Sequence, residues 1–205
     1  MDYPNCKTKI AMKKFIEKIE NLDNIHQWSE RDSIIKESVS QHSFKVAAIA
    51  TYLLKKIDSD INGFVSIRFE WSTYKCKVLS YAILHDFDEA IFGRDVSHVV
   101  KYNSFNGDDI RKAIDEYVNH ILDKEFSGLI PNLPPVVKRF VKLCDWLALL
   151  TFCKRNKKMG AKSYDMEEVY CIHRITEIME EVQNLFNLEF GTKLNFDDYI
   201  QINEL

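Results

Sequence analysis

The stretch Leu79 to Glu89, LSYAILHDFDE, brings an apolar run to a stop at His85-Asp86 and sets an acid, Glu89, one turn further on. A neutral imidazole beside a carboxylate offers a divalent metal one nitrogen and one oxygen ligand. Neighbouring residues on a helix point about 100° apart, so adjacent side chains do not share one stripe. At a helix end they can converge, because the last turn is distorted and its carbonyls lack intrahelical partners. Glu89 is then placed to reach a water on the metal without ligating the metal itself. Taken alone, a His-Asp pair is more often a helix-terminal hydrogen bond. The metal reading therefore depends on partners elsewhere in the chain.

The rest of the composition sets the frame for those partners. The chain has 205 residues, 46% of them hydrophobic, which suits one domain with a sizeable core. Six glycines and four prolines are few for a turn-rich all-β fold and favour long helices. A net charge of -3 gives no global basic field, so no nucleic-acid polymer is expected as a partner. Any anionic ligand must be held by a local cluster of cations. The five cysteines are odd in number and none are spaced CxxC, which argues against a disulfide framework and a zinc ribbon. Cys144 and Cys153 lie in apolar surroundings and read as reduced core residues of a cytoplasmic protein. Neither a signal peptide nor a membrane span is expected, since no run of about 18 apolar residues occurs.

Periodicity fills the chain with helices. Residues 10–22 form an amphipathic helix, and residues 21–38 are polar and broken. Ser40 is the expected N-cap of the next helix, which carries His42 in its first turn and runs to about Ile57. The region from Val65 to Asp86 reads as helical with an interruption near Glu70. Phe87 to Gly93 reads as a short helix closed by Gly93. Residues 95–106 read as irregular and 108–126 as an amphipathic helix. Val136 to Cys153 is the most apolar helix, with Asp145 in its middle, followed by a basic loop over 154–163. A long helix over 164–186 and a short tail complete the chain. The expected fold class is all-α, a helical bundle in a single domain over 1–205, with a metal-site core at about 28–150 and C-terminal helical packing over 160–205.

Asp145 is costly to bury unpaired in LCDWLAL, so it needs a partner. A lone His42 near a helix start is more often a surface or core residue than a ligand. Together, His42, His85, Asp86 and Asp145 run in the order H…HD…D, each on or at the end of a helix with an apolar face.

That order resembles the HD-domain metal-dependent phosphohydrolases. Glu37 to His42 (ESVSQH) is similar to the ENVSEH segment of bacterial HD-domain 5'-deoxynucleotidases. His85 to Glu89 resembles their HDxxE, Asp95 to Lys101 (DVSHVVK) their D-(I/L)-P-(T/S)-P-(V/L)-K, and Lys142 to Asp145 their KxxD. The likeness covers about Trp28 to Leu150. The chain departs from the family pattern in three places. Gln27 stands where the family has an Arg that contacts substrate, and Arg31, one turn on, is a substitute. Arg94 separates Gly93 from Asp95, and Ser97 and Val99 replace two prolines.

The resemblance implies an HD-domain bundle and an enzyme acting on deoxynucleotides. One divalent ion, of Co, Mn, Zn, Fe or Mg, is expected on His42, His85, Asp86 and Asp145. Glu89 is the expected proton-transfer residue. Lys101 and Lys142 would hold phosphate oxygens, though each alone reads equally as a solvated lysine. Trp28 would stack on a base or sugar, or anchor its loop in the core. Asp95 would bind the sugar 3'-hydroxyl or a bridging water, or cap a turn. The leading expectation is a 5'-deoxynucleotidase that converts dNMPs to deoxynucleosides and phosphate. The alternatives are a dATP-type dNTP triphosphohydrolase releasing triphosphate and a non-catalytic nucleotide-binding HD module. The expected partners are a small deoxynucleotide and a further copy of the chain, as a homo-oligomer and most simply a dimer. Phe186, Leu188 and Phe190 are the apolar residues offered for that contact.

Overall fold

The computed structural model describes residues 6–28, 32–61, 68–95, 112–114, 116–118, 120–121, 133–191 and 194–202. Six α-helices can be named among them: α1 (Cys6–Leu22), α2 (Val39–Ile61), α3 (Arg68–Leu84), α4 (Phe87–Phe92), α5 (Pro135–Lys158) and α6 (Asp165–Phe190). Short 3-10 turns lie at Lys162–Tyr164 and Phe196–Asp198. The described parts of 112–121 are also helical. Among the described residues there is no strand, only an isolated antiparallel bridge between His26 and Ser38. The chain is therefore all-α, as its periodicity predicts.

The residues group into two compact units interleaved along the sequence. One holds α1, the segment 36–41 and α4. There α1 packs on α4, with the Phe15 and Phe87 rings 5.6 Å apart. Six residues are too few for a helix to persist alone, so α4 relies on its contacts and ends. Gly93 closes it at φ 70°, in the left-handed region, and donates its N–H to the Glu89 carbonyl at 2.8 Å. Lys18 Nζ donates to the Ala90 carbonyl at 3.1 Å.

The other unit holds α2 from His42 onward, α3, α5 and α6. Helix α2 buries Val46, Ala50, Leu53, Leu54 and Ile57, the spacing of one helical face. Its core is aromatic where α3, α5 and α6 meet. Trp71 and Tyr74 stack at 5.1 Å, and Tyr74 meets the edges of Phe140 and Phe186 at 6.2 and 5.3 Å. Each such pair adds about 0.5–1.5 kcal/mol beyond its area burial. Cys144, Cys153 and Cys171 are free and buried, and Cys76 is free and exposed.

Several boundaries differ from the sequence reading. Helix α3 starts at Arg68 and runs through Glu70 without a break. Helix α5 continues to Lys158, so the basic residues expected in a loop form its last turns. Arg155, Lys157 and Lys158 there complement the partial negative charge of the C-terminus, which favours helix over loop. Helix α6 runs to Phe190 and is closed by Gly191 at φ 62°. Phe186 and Phe190 are buried inside it, so of the three residues offered for subunit contact only Leu188, 82% exposed, remains outside. The expected helix over 108–126 is seen only in its described residues. The irregular run 96–106 lies outside the described residues. No described helix is long and apolar enough to cross a membrane.

Candidate metal centre

The lead-in to α2 is built by its sequence. The Ser38 N–H donates to Gln41 Oε1 at 3.0 Å, and the Gln41 N–H donates to Ser38 Oγ at 3.3 Å. This reciprocal pair is a capping box, so Ser38 and not Ser40 caps the helix. Ser40 sits in the first turn and donates its hydroxyl to Asp23. The signal was present as Ser38-Val-Ser-Gln41, a Ser followed three residues later by Gln. The box fixes where the helix begins, and His42 follows one residue after it.

In the unit holding α3 and α5, three sequence-predicted ligands converge. His42 Nε2 lies 2.9 Å from Asp145 Oδ1, and His85 Nε2 lies 3.9 Å from the same oxygen. One ligand atom from each of the three residues falls within 4.8 Å of the others. The two imidazole rings are 5.5 Å apart. His85 stands directly after the C-terminus of α3, where free carbonyls are available. Its Nδ1 lies 2.9 Å from the Ala82 carbonyl oxygen, which can only accept, so Nδ1 carries the proton. Nε2, on the Asp145 side, is then the lone-pair nitrogen that a metal requires.

Asp145 divides its two oxygens. Oδ1 faces the histidines, and Oδ2 accepts from Lys142 Nζ at 2.6 Å. Burial alone would raise this carboxyl's pKa. The Lys142 ammonium and the His42 hydrogen bond outweigh burial and hold the pKa well below the usual carboxylate range. Asp145 is thus ionised at neutral pH, the state a ligand needs. Lys142 Nζ also lies 5.4 Å from the centre of the buried Trp146 ring, within cation–π range.

The donor set fits a first-row divalent ion. Ligands at about 2.0–2.2 Å from such an ion lie roughly 3–4 Å from each other, and the observed 2.9 and 3.9 Å match. Two nitrogens and one carboxylate oxygen suit Zn, Fe, Co or Mn better than a purely oxygen-seeking ion.

The remaining expected site residues belong to the other unit or lie outside the described residues. Asp86, next in the chain to His85, is the residue before α4, and its Oδ2 accepts from Gln27 Nε2 at 3.1 Å. Glu89 is buried in the first turn of α4. The Gln27 N–H donates to the Glu37 carbonyl at 2.9 Å. Trp28 is half-buried at φ 55°, and its N–H donates to Asp95 Oδ2 at 2.8 Å. A bulky residue in that region costs on the order of 1–3 kcal/mol. Arg31 and Lys101 lie outside the described residues.

Comparison with known structures defines the class. An HD-domain phosphohydrolase of Listeria innocua superposes with a TM-score of 0.64 at 17% identity, covering 94% of this chain and 92% of that one. A protein of Pyrococcus horikoshii OT3 superposes at 0.58 with 20% identity, covering 86% and 96%. The fold is the HD-domain helical bundle. The model of the family described as 5'-deoxynucleotidase YfbR-like matches residues 14–194, and the chain belongs to that family. It is a hydrolase of the HD phosphohydrolase type. It is also 24% identical to the 4'-phosphooxetanocin A phosphatase of Priestia megaterium, over 87% of this chain and 94% of that protein.

Proposed function

We propose that this protein is a divalent-metal-dependent 5'-deoxynucleotidase, cleaving a 2'-deoxynucleoside 5'-monophosphate to deoxynucleoside and phosphate. The observation that carries the reading is the convergence of His42, His85 and Asp145, with the His85 tautomer set by the Ala82 carbonyl. Membership of the 5'-deoxynucleotidase YfbR-like family and the similarity to a phosphatase support it.

His42, His85 and Asp145 hold the ion, joined by Asp86 as the second half of the His-Asp pair. When bound, the ion lowers the pKa of its water and offsets charge on the phosphate. Glu89 takes a proton from the attacking water or returns one to the leaving 5'-oxygen. Lys142 and Lys101 neutralise phosphate oxygens, with Arg31 in place of the cation absent at Gln27. Trp28 packs against the 2' carbon of the sugar, leaving no room for a hydroxyl. The protein acts on a small nucleotide in the cytoplasm as a homo-oligomer, most simply a dimer. Exposed Met166, Val169 and Leu188 on α6 are available for that contact, and sedimentation showing only monomer at micromolar concentration would refute it.

The deciding experiment is a screen of purified protein against dNMPs, NMPs and dNTPs with Co, Mn, Mg and Zn, with the products separated by chromatography. Orthophosphate from dNMPs supports the reading. Triphosphate from dNTPs would replace it with a triphosphohydrolase, and no turnover with any metal would leave a nucleotide-binding module.

A further inference from the structure

We infer that Trp146 is a positioning residue, whose indole face fixes the Lys142 ammonium beside the metal centre. The inference deepens the proposed function, because it rests on Lys142 as a cation serving the phosphate next to His42, His85 and Asp145.

A lysine by itself is a loose fixture. Its charge sits at the end of a flexible four-carbon stem, and the Lys142 side chain is 38% exposed. Two residues of α5 nonetheless converge on its Nζ. Asp145, three residues on, accepts from it through Oδ2 at 2.6 Å, while Oδ1 faces His42 at 2.9 Å. Trp146, four residues on, brings the centre of its ring to 5.4 Å. Side chains three and four residues apart are neighbours on a helix surface, so both partners lie within reach of one lysine. Among aromatic faces indole attracts a cation most strongly, and the observed distance is inside that range. The indole is in turn held. Trp146 is 3% exposed, and the Tyr170 ring of α6 meets it nearly edge-on, with centroids 5.5 Å apart. A buried, braced ring thus steadies an exposed and flexible side chain. All four residues belong to one compact unit, together with His42 and His85. An ammonium has three donors, so its bond to Asp145 leaves room for a further one to a phosphate oxygen. The indole limits where that ammonium can go. In the sequence Trp146 reads as core, because it stands in the apolar run LCDWLAL.

The test compares Trp146→Phe, which keeps an aromatic face, with Trp146→Leu, which fills the slot without one. Lys142→Met and the double variant Trp146→Leu/Lys142→Met complete a double-mutant cycle. The first readout needs neither metal nor substrate: the rate at which an amine-acetylating reagent labels Lys142 in the full chain, followed by mass spectrometry. Lys138, exposed one turn earlier on α5, is the internal reference. Relative to it, Lys142 should label about three- to tenfold faster in Trp146→Leu, with Trp146→Phe close to wild type. The second readout is kcat/KM for dAMP with cobalt(II). Lys142→Met should lower it on the order of ten- to a hundredfold and Trp146→Leu by about three- to tenfold, with Trp146→Phe recovering most of the loss. The double variant should be no worse than Lys142→Met alone. Unchanged labelling of Lys142 in Trp146→Leu would overturn the inference, as would Trp146→Phe behaving like Trp146→Leu. Additive losses in the cycle, or full activity in Trp146→Leu, would also overturn it. If Trp146→Leu does not fold, Trp146→Met is carried through the same two measurements. A wild type that leaves dAMP intact would count against the proposed function, and the labelling rates would then decide the inference by themselves.

Discussion

The Nδ1 of His85 sits 2.9 Å from the carbonyl oxygen of Ala82, three residues back in the chain. A carbonyl left without an intrahelical donor at the end of α3 thereby decides the tautomer of the histidine that follows. It leaves Nε2 as a ligand on the side where Asp145 Oδ1 lies.

From this follows a metal-binding prediction. His85→Ala and Asp145→Ala should each weaken cobalt(II) binding at least a hundredfold in isothermal titration of the full chain. Exhaustive chelation of the wild type should abolish phosphatase activity, and added Co, Mn, Zn, Fe or Mg should restore it to differing extents. Binding that survives Asp145→Ala within a few-fold would contradict the assignment of the three converging side chains.

Glu89 should behave differently, because its expected work is on a proton. Glu89→Gln keeps the shape and removes the base. Cobalt affinity should stay within about threefold of wild type, while kcat falls by roughly 10²–10⁴. A variant retaining most of its turnover at saturating metal would show that another group moves the proton.

Asp58 offers a pH test away from the site. Burial raises its carboxyl, but the hydrogen bonds from Trp71 Nε1 and from Lys75, at 2.9 Å, outweigh burial and lower its pKa. A carboxyl lowered on folding stabilises above its unfolded value, about 3.9, and that stability is lost as pH falls through the folded value. The group is partly exposed, so the effect is small. Asp58→Asn should cost about 1 kcal/mol at pH 7, and the gap from wild type should narrow below about pH 4. Urea unfolding of both proteins across pH 3–7 measures it, and a gap independent of pH would refute the ion-pair account.

Asn156 should matter for stability more than its place in α5 suggests. It is fully buried; Oδ1 accepts from the Ile35 N–H at 2.9 Å, and Nδ2 donates to the carbonyls of Ile35 and Phe152 at 3.3 Å. Asn156→Leu leaves two backbone groups of Ile35 without these partners, at about 1–3 kcal/mol for each that stays buried. For a chain of this size the melting temperature should drop by roughly 5–10 °C. A melting temperature within a degree or two of wild type would mean that water replaces the amide.

Several features of this protein were legible along the chain because they depend on near neighbours. Helix α2 declares its buried face at Val46, Ala50, Leu53, Leu54 and Ile57, since 3.6-residue periodicity is a local property. Gly93 marks the end of α4 because a left-handed cap favours a residue without a side chain. Even the capping box was present as Ser38 and Gln41, though the neighbouring Ser40 offered a competing cap. His42, His85 and Asp145 stood out as polar residues in apolar surroundings, which signals a burial cost in need of a partner. That these three are partners of one another was decided by tertiary structure, because 103 residues separate His42 from Asp145. The same holds for Asn156 and Ile35, 121 residues apart, and for the left-handed turn at Trp28 held by Asp95, 67 residues away. The burial of Phe186 and Phe190 also came only from the fold. An apolar residue on a helix looks the same in sequence whether it faces a core or a subunit, and only the packing of α3, α5 and α6 around those rings distinguishes the two.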